Sequence, residues 1–223
     1  MRVGDVTLKR AVKIVDNPKI LTDPIRREIL RLLVIQPHTA TQLAEKLNLT
    51  KSTVGHHIHT LQRAKLIRIK WAKPGSHGIV EKYYEPIALV FIENYNKMPV
   101  EMRKYFLSIH MERLRGMFST LQLIGDATSA FRLVRESWEH MVEAPRGLNS
   151  DLLSELANET LRCMTQIGEG YEREMTDLDG ETLLTKIYSE TLRLIITRGI
   201  WRKVFANVSG INVLITEGNS QER

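Results

Sequence analysis

The chain has 223 residues, 43% of them hydrophobic and 26% charged, which is enough apolar material for one large or two small cores and excludes global disorder. The net charge of +6 is unevenly placed: residues 1–85 carry 16 Lys and Arg against 7 Asp and Glu, a balance of +9, whereas residues 86–223 carry 16 against 19, a balance of −3. One cysteine, Cys163, excludes an internal disulfide, and no Cys/His spacing resembles a zinc cage. There is no signal-peptide run at the N-terminus, and no apolar stretch approaches the roughly 20 residues of a transmembrane helix. The expectation is a soluble, cytoplasmic protein with no membrane partner and no cofactor.

In chain order, Ala11–Val15 is a short strand or an irregular lead-in. Asp23-Pro24 combines a cap residue with a first-turn proline and starts a helix to about Ile35, with Ile25, Ile29, Leu32 and Leu33 on its buried stripe. Gln36-Pro37 ends it. A short helix from about Thr41 to Leu47 turns at Asn48-Leu49-Thr50, and Thr50 caps a third helix, about residues 51–65. Two β-rich runs, Leu66–Ala72 and Ile79–Glu85, flank the turn-forming segment Lys73–Gly78 and make a hairpin over about residues 67–85. Three helices and a hairpin are the order of a winged helix-turn-helix. Glu85-Pro86 marks a boundary. Beyond it the apolar run in Ile87–Asn96 predicts a helix whose surface pairs two copies of the chain. Further helices are expected over about residues 100–124, 126–143, 150–176 and 180–207, with a final strand over 211–216. The expected fold class is therefore mainly α: a winged helix-turn-helix domain, 1–86, followed by a helical dimerisation and possible effector domain, 87–223.

The third helix carries the chemistry. On a wheel of 100° per residue, Val54, Ile58 and Leu61 fall within about 60° of one another, and Ser52, His56, His59 and Arg63 within about 60° on the opposite side. Short polar and cationic groups facing outward let a helix enter a major groove about 12 Å wide. Ser52, His56 and His59 are candidates for base edges, while Lys51, Thr53 and Arg63 are candidates for phosphates. Gly55 weakens the helix but permits close approach. His57, at the edge of the inner face, reads as a packing residue. On the hairpin, Lys70, Lys73 and His77 are candidate phosphate contacts, and Tyr83 and Tyr84 should face opposite sides.

These residues carry a resemblance. Asp23-Pro24-Ile25-Arg26-Arg27-Glu28-Ile29-Leu30, Gln42-Leu43-Ala44, Ser52-Thr53-Val54-Gly55-His56-His57-Ile58 and Glu81-Lys82-Tyr83-Tyr84 resemble the ArsR-type winged-helix regulators, in the version with a long helical tail found in archaea. The resemblance covers about residues 12–95. It implies a homodimer that binds double-stranded DNA at a pseudo-palindromic operator. Metal-sensing members carry Cys-x-Cys in or near the helix that here holds Leu43, Ala44 and Glu45, so thiolate metal sensing is not expected.

Other groups read as structural. Only His56 and His59 have ligand spacing on their helix, with no third ligand. Cys163 lies on a seam with Met164 and Ile167 and reads as a core residue. Trp138, Trp201, Tyr171 and Phe205 fit a bundle core better than a small-molecule pocket. No enzyme signature is present; Gly168-Glu169-Gly170 lacks the preceding strand of a phosphate loop. The reading is a sequence-specific DNA-binding transcription regulator, not an enzyme. Its rivals are a protein-docking adaptor and a regulator gated by an unidentified effector.

Overall fold

The structure, a computed structural model, describes residues 8–75, 80–107, 109–110 and 150–198. Its elements are β1 (Lys9–Arg10), β2 (Val12–Val15), a 3-10 turn (Pro18–Thr22), α1 (Pro24–Ile35), β3 (His38–Thr39), α2 (Ala40–Leu47), α3 (Lys51–Arg63), β4 (Ile67–Pro74), β5 (Val80–Pro86), β6 (Val90–Glu93) and a second 3-10 turn (Tyr95–Lys97). Residues 100–107 and 109–110 are helical and are called α4. Then come α5 (Ser150–Tyr171), β7 (Met175–Thr176) and α6 (Gly180–Thr197). The expected helix over 126–143 and the strand over 211–216 lie outside the described residues, as do Trp138, Trp201 and Phe205.

Each helix of the N-terminal unit begins where a side chain satisfies free backbone amides. Asp23 Oδ1 accepts from the amides of Ile25 and Arg26 at 2.9 and 3.2 Å. Thr39 and Gln42 form a reciprocal capping box at α2, with contacts of 2.9 and 3.2 Å. The Thr39-x-x-Gln42 pattern is legible in the sequence and places the start of α2 one residue earlier than the expected Thr41. Asn48 closes α2 with a φ of 52°, a left-handed position that asparagine tolerates better than most side chains. Thr50 Oγ1 then accepts from the Thr53 amide at 3.1 Å and starts α3.

The inner faces of these helices share one core. Ile29, Leu33, Leu43, Val54 and Leu61 are fully buried, as the periodicity requires. Each contributes about 1.5–3 kcal/mol by leaving water. The sheet order is β3-β5-β4, so the hairpin closes onto the unit through the short strand ahead of α2. Tyr84 is buried against the core, whereas Tyr83 lies half-buried on the other face, as expected from the alternation.

The segment after Pro86 departs from expectation. Ile87–Asn96 is not a helix: Val90–Glu93 is a strand paired in parallel with Val12–Val15, in the register Val12↔Val90 to Val15↔Glu93, and Tyr95–Lys97 is a 3-10 turn. An apolar run buried on both faces has no periodicity that separates strand from helix, and its partner strand lies before α1 in the chain. Leu89, Val90 and Ile92 are consequently buried within one chain, so they are not a surface on which two copies could pair. Residues 175–176, expected at the end of a helix, form β7 and pair antiparallel with β1.

The β2–β6 pair joins the N-terminal unit to the helices that follow. The whole helix-turn-helix unit lies in the crossover between these two parallel strands. Helix α5 lies across them: Thr165 Oγ1 donates to the Glu93 carbonyl at 2.9 Å and accepts from the Tyr95 amide at 3.0 Å. Glu172 accepts from Lys13 Nζ at 2.7 Å and from the Ile14 amide at 3.2 Å. The apolar core runs on without a break from Leu43 and Leu61 to Tyr95, Met98, Phe106 and Leu161. Gly168 is the point of closest approach: a Cβ there would stand 2.7 Å from Ile92 Cδ1 and 2.9 Å from Ile14 Cδ1. Gly168→Val should therefore destabilise the protein by about 1–3 kcal/mol, measured by urea unfolding, despite removing a glycine from a helix. Unchanged stability would show that α5 does not rest on the strand pair in this way.

Candidate nucleic-acid interface

Helix α3 is held from one side. Val54, His57, Ile58 and Leu61 are buried, and Lys51, Ser52, Thr53, His56, His59 and Arg63 are exposed. The expected outward row is thus on one accessible face. Gly55 lies on that same side, and a Cβ there would meet nothing within 4 Å. Thr53 is less free than its exposure implies, because its hydroxyl is 2.8 Å from the hydroxyl of the capping Thr50.

His57 links α3 to the start of α1. Its Nδ1 lies 3.5 Å from Asp23 Oδ2, and the same carboxylate oxygen is 3.2 Å from the Arg26 guanidinium. Asp23 thus caps α1 and faces a side chain of α3 at once. Burial opposes its charge, but the Arg26 amide, His57 and the Arg26 guanidinium outweigh that and hold the carboxyl below its ordinary value. A depressed carboxyl adds stability that is complete above its unfolded-state value and is lost as pH falls through the folded-state value. Asp23→Ala should cost about 1–2 kcal/mol at pH 7 in chemical denaturation. The difference from the parent protein should shrink in the acid range, below the ordinary carboxyl value of 3.8. An equal difference at pH 7 and in strong acid would refute the charge contribution.

The hairpin contains an irregularity that the sequence pattern did not show. The register shifts between Ile69 and Trp71: Ile69 faces Tyr84, and Trp71 faces Tyr83, leaving Lys70 as the extra residue of a β-bulge. The bulge moves Trp71 to the face of Tyr83, where the rings stack at 5.4 Å. Lys70 Nζ lies 5.2 Å from the Trp71 ring centre, and Lys73 Nζ lies 5.3 Å from that of Tyr83. Sequence reasoning overlooked Trp71, although a tryptophan among lysines in a strand was the available signal.

Of the hairpin candidates, Lys73 is exposed, faces the Tyr83 ring and makes no ion pair among the described residues, while Lys70 is 3.1 Å from Glu85 Oε2, whose other oxygen accepts from Arg68 Nε at 2.9 Å. Lys70 would have to leave Glu85 to reach a phosphate. His77 lies outside the described residues. The structure therefore brings Lys51, Ser52, Thr53, His56, His59 and Arg63 together on α3 and places Lys70 and Lys73 on the adjacent hairpin.

The other polar groups fall elsewhere. Cys163 is buried; desolvation, only partly offset by Arg198, pushes its thiol up to about 11, which disfavours the nucleophilic thiolate. No group of three or more His, Cys, Asp or Glu side chains suited to a metal ion occurs among the described residues, and no helix among them is long and apolar enough to cross a membrane.

Residues 21–70 match the family described as the helix-turn-helix domain, and that segment contains α1, α2, α3 and the start of β4. Among characterised proteins, a stretch of 49 residues is 41% identical to the transcriptional repressor SdpR of Bacillus subtilis (strain 168), covering 22% of this chain and 54% of the repressor. The chain spans about half the length of that relative, and the similarity is confined to a minor part of its own length.

Proposed function

We propose that the protein is a sequence-specific DNA-binding transcription regulator, an ArsR-like winged helix-turn-helix of the archaeal kind, acting as a cytoplasmic homodimer. The observation that carries this reading is the exposed row Ser52, His56, His59 and Arg63 on a helix whose opposite face is locked into the core. The helix-turn-helix match and the similarity to a repressor support it. In this reading α3 enters the major groove. Ser52, His56 and His59 meet base edges, and Lys51, Thr53 and Arg63 meet phosphates. The hairpin is the wing, with Lys70 and Lys73 as phosphate contacts on β4 and His77, outside the described residues, as a further candidate. Two copies present their recognition helices about 34–36 Å apart, one turn of duplex. Pairing uses a surface other than β6, which lies inside the fold.

Duplex binding should weaken at least about tenfold between roughly 50 and 200 mM salt, because the basic unit displaces counterions. A salt-independent affinity would remove the phosphate contacts from the scheme. Selection of bound duplexes from a random pool separates the roles on α3. His59→Ala should relax preference at one position, whereas Arg63→Ala should weaken all sequences alike.

Gly55 gives an independent check. Gly55→Ala should raise thermal stability by about 0.5–1 kcal/mol, since the methyl meets nothing and alanine favours a helix. It should also lower duplex affinity, since that methyl projects toward the groove. A stabilised variant with unchanged affinity would place another surface on DNA.

A second reading has one observation in its favour. Ile69, Trp71 and Val80 are exposed apolar residues on the hairpin, as a protein-docking adaptor would present. The lysines interleaved with them and the +9 balance of residues 1–85 favour DNA.

A further inference from the structure

The bulge at Lys70 changes which side chains of β4 stand together. In an unbroken strand Arg68 would lie on one face, and Trp71 and Lys73 on the other. With the extra residue, Arg68, Trp71 and Lys73 stand opposite Glu85, Tyr83 and Glu81, three positions of β5 that alternate by two and so share a face. Ile69, Ala72 and Pro74 stand opposite Tyr84, Lys82 and Val80 on the other face. The exposed apolar residues of the hairpin are therefore divided, with Trp71 on one face and Ile69 and Val80 on the other.

Trp71 is 38% exposed, although a tryptophan ordinarily buries most of its surface. One side of its ring lies on Tyr83, with the planes 29° apart, and Lys70 Nζ is 5.2 Å from its centre. Stacked in this way, the ring offers an edge and not two open faces, so it is not arranged for insertion between base pairs. Among the described residues its indole N–H has no hydrogen-bond partner. Around it stand Arg68, Lys70 and Lys73, with Glu81 and Glu85 on the facing strand. Glu85 is met by Arg68 at 2.9 Å and by Lys70 at 3.1 Å. Three cations against two carboxylates leave little net charge, so Coulomb attraction is not what distinguishes this face. Its distinctive group is an unpartnered donor on an exposed aromatic ring.

Leu66 and Ile67 are buried in the same core as Ile58 and Leu61, so β4 leaves the fold beside the end of α3. From Ile67 to Trp71 is roughly 13 Å of strand. That is about the width of a major groove, enough to carry the ring from a helix lying there past the adjoining sugar-phosphate strand. The minor groove beyond is about 6 Å wide and takes an aromatic ring edgewise. An A·T pair shows only acceptors in that groove, whereas G·C adds the amino group of guanine, a donor. An indole N–H can only donate, so it is satisfied by the first pair and left facing a second donor at the other. We propose that Trp71 reads the minor groove beside the site held by α3 and selects A·T over G·C at one position. The proposal rests on the DNA-binding function proposed above and adds to it a specificity-determining residue on the hairpin.

The test uses the full chain and a duplex selected from a random pool. Base pairs flanking the positions that α3 prefers are changed one at a time, and affinity is measured by titration. At one flanking position G·C should bind at least about fivefold more weakly than A·T. Inosine in place of guanosine removes the minor-groove amino group and keeps the major-groove acceptors, so an inosine·cytosine pair there should come within about twofold of A·T. Trp71→Phe keeps an aromatic ring against Tyr83 and lacks the N–H; a thermal melt establishes that it is folded. It should bind the three duplexes within about twofold of one another and retain the preferences set by α3. Undiminished discrimination in Trp71→Phe, an inosine duplex as weak as the guanosine one, or no flanking A·T preference in the parent protein would overturn the proposal and leave the DNA reading standing. A parent protein that binds no duplex would overturn both.

Discussion

The parallel pairing of Val12–Val15 with Val90–Glu93 is the constraint on which the rest of the fold depends. A helix-turn-helix unit is small and buries little surface by itself. Here its two ends are tied together by backbone hydrogen bonds, and α5 is laid over the tie through Gly168, Thr165 and Glu172. The pair also extends the core beyond the unit, since Tyr95, Met98, Phe106 and Leu161 pack into the same cluster as Ile29 and Leu61. The outward face of α3 is therefore mounted on a body larger than the three helices that define it.

Local chemistry sets the details of that mounting. The capping carboxylate of Asp23 meets the ring of His57 where α1 and α3 share their apolar core, while Thr50 caps the start of α3. The same contacts that order the backbone thus decide which side chains point outward. His57 illustrates the difference between composition and position: three histidines lie within four residues, yet one is buried against Asp23 and two are exposed.

The second consequence of the strand pair concerns the other side of α1. Because β6 is drawn into the interior, Glu93 comes to lie beside His110 and Tyr188 instead of in solvent. A polar chain at that depth is costly unless its groups are satisfied, and here His110 meets both the Glu93 carboxylate and the Tyr188 hydroxyl. α1 connects the two regions: one flank supports α3, and the other faces a cavity that it shares with β6 and α6.

The sequence by itself determined the helix-turn-helix unit, because its signals are local: Asp23 and Thr50 as caps, apolar residues at helical spacing, and turn chemistry around Pro74. It also determined which residues of α3 face outward, because a wheel needs only the helix and its buried stripe. Only the tertiary structure decided what Ile87–Asn96 becomes, since a run apolar on all sides takes its form from its neighbours, and the partner strand lies on the far side of the entire unit. The bulge at Lys70, which places Trp71 beside Tyr83 and Lys70 beside Glu85, was likewise a matter of register between strands. So was the meeting of Glu93, His110 and Tyr188, three residues on separate elements that no spacing rule connects.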